Sequence, residues 1–447
     1  MDRIERLAEK LDHLLNGPVI SRRGAFKLTG IAGLDLALKA CSSSNGGSSA
    51  PTRNVDTVSV IPSAEPIVDP TATSITTESA TTEPTITAGP PTTPTVTEST
   101  TTAPVEGISI DPEIRQIAKE AFQKGYEEWK SAWVRNEGLG DADELRAIWD
   151  KDKRNSNSEV VAYSMIYAVN AEDKPTFDSL WKYAKSHLNS DGLMSNEINA
   201  DNTPADDSSA ADADLDIAYG LIIADNIWGG YRDDATRMIE NILKHDVEPG
   251  SYVLKGGNDW GGFYETNPSY YSPAYYQLFK EYTGNTDWDR VTEAGRQVFA
   301  AIKAKRQTLL PPDWTTADGS MVPQRGGNND KFGYEAIRIP WRQGMAALWY
   351  EDKDAIAQLQ QINAFFETEN PDQIRGGYDP KTGTPLETEY VEVAFVATAA
   401  MAAVISTKPG YQKHLLENTI TLRSPDYSTN EGMRLNALLF LSGGMKH

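Results

Sequence analysis

Apolar positions divide this chain into two regimes. From Ser42 to about Val105 they are sparse, whereas beyond Asp111 they recur at helical spacing to the C-terminus. One stretch shows the pattern well: Ile217, Leu221, Ala224 and Trp228 fall on one face of a helix, and Asp212, Asp214 and Asp216 stand on alternate residues at its start. Asp111-Pro112-Glu113 combines an N-cap acid, a proline suited to the first helical position and a first-turn glutamate. Twelve helices are predicted, near 112–135, 157–170, 174–188, 211–228, 231–245, 270–283, 286–305, 333–350, 352–368, 386–405, 408–421 and 429–443. Links inside pairs are short, and longer Gly/Asn/Tyr-rich loops run over 247–268 and 309–331. Val/Ile-rich alternating strands are scarce. The pattern predicts an all-α fold, six helical hairpins closed into an (α/α)6 barrel. An α-solenoid is the competing architecture, but no fixed-period repeat supports it.

Composition refines the picture at the N-terminus. Ser21-Arg22-Arg23-Gly24-Ala25-Phe26-Lys27 resembles a twin-arginine export motif, and Leu28 to Ala40 is a short, mostly apolar run interrupted by Asp35 and Lys39. Leu38-Lys39-Ala40-Cys41 resembles a bacterial lipobox, and Cys41 is the only cysteine, so no internal disulfide can form. Residues 1–41 are therefore expected to be an export signal ending in a lipid-anchored cysteine; a soluble amphipathic helix is the alternative. Residues 42–106, rich in Ser, Thr and Pro, cannot bury enough surface to offset their ordering entropy and are expected to form a disordered, cell-surface spacer. Residues 107–447 are left as one folded domain. Formal net charge is −22; up to Glu106 there are 8 basic and 12 acidic residues, so −4 belongs there and −18 to the domain. So acidic a surface argues against nucleic acid, tolerates neutral glycans and would attract a polycation such as chitosan.

Three acidic motifs carry candidate chemistry. Ala210-Ala211-Asp212-Ala213-Asp214-Leu215-Asp216-Ile217-Ala218 resembles the signature of glycoside hydrolase family 8, departing from it at Ala211 and Gly220. The resemblance implies that Asp212 holds the sugar at the cleavage point. Ser158-Glu159-Val160-Val161-Ala162-Tyr163-Ser164 resembles the family's Ser-Glu-Gly-x-Gly-Tyr-Gly, which implies Glu159 as general acid and Tyr163 beside the substrate. Val160, Ala162 and Ser164 replace glycines that would admit a close ligand or backbone, so a narrower cleft is expected. Tyr334-Glu335-Ala336-Ile337-Arg338-Ile339-Pro340-Trp341-Arg342 resembles the family's Tyr-Asp-Ala-x-Arg-x-Pro-Trp-Arg, which implies Glu335 as general base in place of an aspartate, flanked by Tyr334. Arg338, one turn on, would pair with or orient a carboxylate. Inverting glycosidases hold their two carboxyls about 6.5–9.5 Å apart to admit a water, so the longer Glu335 must be absorbed by a backbone or rotamer shift.

Trp260 and Tyr270 match family positions that line the glycan cleft, while Tyr275 or Tyr276 reads as core. Gly192-Leu193-Met194-Ser195-Asn196 resembles a family stretch that usually ends in Trp, so Asn196 would remove one stacking platform. An EF-hand reading of Asp212, Asp214 and Asp216 fails, since Ile217 and Ile223 stand where Gly and Glu are required. The five histidines are scattered without paired ligand spacing, and no P-loop, dinucleotide fingerprint or Gly-x-Ser-x-Gly turn occurs. Neither metal nor cofactor is expected. The chain reads as a monomeric, endo-acting, inverting hydrolase of a β-1,4-linked polysaccharide, glucan first. Chitosan and xylan are the alternatives within the family. A non-catalytic glycan-binding protein is the rival outside it, to which the altered acid motif and Glu335 point.

Overall fold

The computed structural model describes residues 108–136, 143–323, 330–387 and 390–447. The expected export signal with Cys41 and the spacer to Glu106 lie outside the described residues.

Twelve α-helices are present among the described residues: α1 (Pro112–Trp133), α2 (Ser158–Asn170), α3 (Lys174–Ser186), α4 (Ala211–Trp228), α5 (Arg232–Asn241) and α6 (Pro273–Thr283), then α7 (Asp287–Arg306), α8 (Ile339–Tyr350), α9 (Lys353–Phe366), α10 (Val393–Ala402), α11 (Tyr411–Thr421) and α12 (Ser428–Leu441). The even-numbered helices touch in the sequence α2, α4, α6, α8, α10, α12 and back to α2, closing an inner ring. Each odd-numbered helix packs beside its hairpin partner outside it. The residue pattern explains the sorting. All ten residues of α10 are buried, and α2, α4 and α12 are buried along almost their whole length, as expected of helices surrounded by protein. In α1 only one stripe is buried, from Ile114 through Ile117, Ala121, Phe122 and Tyr126 to Trp129.

Several predicted helices begin later than their apolar pattern suggests. The helix expected over 270–283 starts at Pro273 after a 3-10 turn at Pro268–Tyr270, and that expected over 333–350 starts at Ile339 after a 3-10 turn at Ala336–Arg338. Proline sits in the first turn of both, where its missing N–H costs nothing. The helix expected over 386–405 starts at Val393, because the chain before it pairs as extended backbone, Arg375 with Val391. The 231–245 helix turns to π geometry over Ile242–Asp246.

Among the described residues, five short strands tie the loops together. β1 (Val134–Arg135) pairs antiparallel with β2 (Arg146–Ala147); β3 (Ser156–Asn157), β4 (Glu197–Ile198) and β5 (Pro204–Asp206) form an antiparallel trio. β3 leads directly into α2, whose first turn is capped by Asn157, its side chain accepting from the Val160 N–H at 2.9 Å. Beneath the site, Arg342 on α8 grips Asp216 on α4 with two bonds, 2.5 and 2.8 Å, both side chains wholly buried.

Candidate active site

The first turns of α2 and α4 and the 3-10 turn before α8 bring Glu159, Asp212 and Arg338 to one place, with Glu335 one residue ahead of that turn. Arg338 is the hub. Its Nη1 lies 2.6 Å from Glu159 Oε1 and 2.9 Å from Asp212 Oδ2, its Nη2 donates to Glu335 Oε2, and its Nε donates to Ser269 Oγ at 3.4 Å. The guanidinium is 5% exposed and stands 5.4 Å from the centre of the Tyr270 ring. Burial opposes its charge, but Glu335, Asp212 and Glu159 outweigh that and keep it firmly protonated.

Each of the two glutamates is held by one oxygen. Glu159 Oε1 accepts from Arg338 and from the Tyr163 hydroxyl at 2.8 Å. Glu335 Oε2 accepts from Arg338 and from Asn267 Nδ2 at 2.9 Å, while Asn267 Oδ1 is itself fixed by the N–H and hydroxyl of Ser269. Among the described residues no donor occupies Glu159 Oε2 or Glu335 Oε1. Each carboxyl is thus oriented by its bonded oxygen and has the other available for proton transfer.

Asp212 differs from both. It is 5% exposed, and burial pushes its carboxyl up to about 7, with Glu159 and Glu335 adding to the rise and Arg338 opposing it. Three carboxyls share one guanidinium, and Asp212 is the most buried of them. The loop bearing Glu335 is fixed by Asp313, whose Oδ1 accepts from the N–H groups of Gly333 (2.8 Å) and Ala336 (2.9 Å). Burial raises Asp313 to about 6, the Ala336 N–H opposing this and Glu335 reinforcing it.

The residues expected to meet substrate are not all in the cleft wall. Tyr163 is buried beneath Glu159 and braces it. Tyr270 is also buried, its ring under Arg338 and edge-on to Trp314, so it offers no open face for a sugar. Trp260 is half-exposed and packs on Trp314 at 5.5 Å, and Tyr334 is exposed at the rim with its hydroxyl 3.2 Å from Glu392. Tyr275 and Tyr276 are both core. The replaced glycines do not narrow the cleft: Val160, Ala162 and Ser164 all turn into the protein, and Ser164 Oγ accepts from Trp129 Nε1 at 2.9 Å. Asn196, in place of a platform, anchors the start of α2, its carbonyl accepting from the Ser158 N–H at 2.9 Å. Asp330, a neighbouring acid outside the cluster, pairs with Arg306. Sequence reasoning missed Asn267, Ser269 and Asp313; the first two stand in the segment that supplied Tyr270, where the signal was available.

A family model described as glycosyl hydrolases family 8 matches residues 115–439. Endoglucanase A of Acetivibrio thermocellus is 34% identical over 330 residues, 71% of this chain and 68% of that protein. Endoglucanase C of Ruminiclostridium cellulolyticum is 34% identical over 342 residues, 74% of this chain and 72% of that protein. Among solved structures, an apo β-1,3-1,4-glucanase from Paenibacillus sp. X4 superposes with a TM-score of 0.68 at 23% identity, covering 76% of this chain and 95% of its own. A reducing end xylose-releasing exo-oligoxylanase gives a TM-score of 0.63 at 22% identity, with 74% and 93% covered.

Proposed function

Because the chain belongs to glycoside hydrolase family 8, we propose that it cleaves β-1,4 linkages inside a glucan, with Glu159 as general acid and Glu335 as general base. The observation that carries this reading is the single guanidinium that gathers Glu159, Asp212 and Glu335 while leaving one oxygen of each glutamate unbonded. Protonated at Oε2, Glu159 gives its proton to the departing glycosidic oxygen as the C1–O bond breaks. Oε1 of Glu335 takes a proton from a water whose oxygen forms the new bond to C1 from the opposite face. Charge is conserved: one carboxyl loses a proton, the other gains one, and solvent exchange resets both. Asp212 and Arg338 hold the sugar that is being cut, and Trp260 supplies an apolar face to a neighbouring ring.

Both curated relatives named above are endoglucanases, which favours glucan over chitosan or xylan. Reducing-end release from carboxymethylcellulose, lichenan, chitosan and xylan tests the reading. Fastest release from carboxymethylcellulose with an early fall in viscosity is expected; release from none of the four would favour a glycan-binding role instead. We also infer export and lipid anchoring through Cys41, supported by Arg22-Arg23 and Leu38-Lys39-Ala40-Cys41. Membrane fractionation with lipid on Cys41 is expected in a bacterial host, and unlipidated full-length protein in its cytosol would overturn it.

A further inference from the structure

Two neighbouring buried carboxyls outside the Arg338 cluster form no ion pair among the described residues. Asp214, on α4 two residues beyond Asp212, and Asp246, at the end of the π turn after α5, are both fully buried. Oδ1 of each has a donor: the Met194 N–H at 3.1 Å for Asp214 and the Ser209 hydroxyl at 3.0 Å for Asp246. Among the described residues Oδ2 of each has no donor, although the two carboxyls lie within hydrogen-bonding reach of each other. Lys255 faces them, but its ammonium donates to the carbonyls of His245 and Asn258, and among the described residues no ion pair reaches either aspartate. Two adjacent buried acceptors without a protein donor would cost several kcal/mol as a pair of anions. One proton between them satisfies both.

What the pair holds is the wall of the cleft. Ser209, bonded to Asp246, is a node: its N–H donates to Asn258 Oδ1 (2.8 Å), its Oγ accepts from the Asn258 N–H (3.0 Å), and its carbonyl accepts from Trp260 Nε1 (3.1 Å). The indole lies flat enough on Gly256 and Gly257 that a Cβ on either would overlap it. The Gly256 carbonyl in turn receives the Ala211 N–H at 3.0 Å, the first donor of α4, which has no side-chain cap. The same short network therefore fixes Trp260 and the turn that presents Asp212.

We propose that Asp214 and Asp246 are a positioning pair that shares one proton between their Oδ2 atoms and, through Ser209, locks Trp260 and the first turn of α4 in the glycan cleft. The role of the wall rests on the glycosidase reading; the shared proton does not. Burial raises both carboxyls, Asp246 to about 7, with Ser209 and Lys255 opposing the rise and Asp191 adding to it. Asp191, which stands 3.4 Å from His245, acts on Asp246, and Asp212 acts on Asp214.

Asp246→Asn is the informative variant, since its amide can donate to Asp214 Oδ2 while its carbonyl still accepts from Ser209. Infrared spectra of the substrate-free protein near neutral pH are expected to show a protonated carboxylic C=O band that Asp246→Asn and Asp214→Asn each remove. Asp246→Ala should raise KM about tenfold, the usual consequence of leaving buried polar groups unpaired, and Asp246→Asn should restore it to near the wild-type value. The proposal is overturned if wild type and Asp246→Asn give the same carboxyl spectrum, or if the Ala and Asn variants share one KM. Should Asp246→Ala not fold, the infrared comparison decides alone. A protein inactive on every glucan would remove the proposed function and leave that comparison standing.

Discussion

At the scale of the residue, the proposed chemistry rests on how two glutamates are held. Glu159 is braced by Tyr163 and Arg338, and Glu335 by Asn267 and Arg338. In the second arrangement, where the family pattern has aspartate, the extra methylene of the glutamate carries Oε2 to two fixed donors. Glu159→Gln should lower kcat by about 10²–10⁴ with little change in KM, because general acid catalysis acts only in the transition state. Glu335→Asp should keep substantial activity and Glu335→Ala almost none, measured by the same reducing-end assay. A fully active Glu335→Ala would place the base elsewhere.

Asp212 gives a second test at this scale. Its folded carboxyl, raised to about 7, lies above the unfolded value of about 3.9. The unfolded chain therefore releases this proton first, and the contribution of the group to stability is full below about pH 4 and lost as pH rises to about 7. Asp212→Asn removes that loss. Thermal melts should show the variant gaining on wild type from about pH 5 to about pH 8; a constant difference in Tm would contradict the buried, raised carboxyl.

At the scale of the element, twelve helices were legible because a barrel of hairpins leaves a strong periodic record. The inner ring was less legible: helices buried on all sides, such as α10, carry little amphipathic contrast. Helix starts were misplaced where apolar residues continue into extended or 3-10 chain, as before Pro273 and Val393. Of the candidate site, the acids and Arg338 were readable as motifs, whereas the bracing by Asn267 and Asp313 depends on contacts between distant segments. Replacement of three glycines was misread for a related reason, since which way Val160, Ala162 and Ser164 face is decided by packing. One link between elements can be measured directly. Asp216→Ala strands the Arg342 guanidinium in the core between α4 and α8, and chemical denaturation should show a loss of about 3–5 kcal/mol. A change below about 1 kcal/mol, the range of surface pairs, would mean that the pair is not buried.

At the scale of the molecule, the domain is an acidic (α/α)6 barrel that gathers Glu159 from α2, Asp212 from α4 and Glu335 from the loop ahead of α8 around one arginine. In the proposed mechanism Glu159 and Glu335 act on opposite faces of the sugar, with water as the attacking group. Proton NMR of the first reducing ends released from a β-1,4-glucan reports this directly, before mutarotation mixes the anomers. The α-anomer is expected to appear first, inverted from the β-linkage of the substrate. First appearance of the β-anomer would mean retention through a glycosyl-enzyme intermediate and would contradict the roles given to both glutamates.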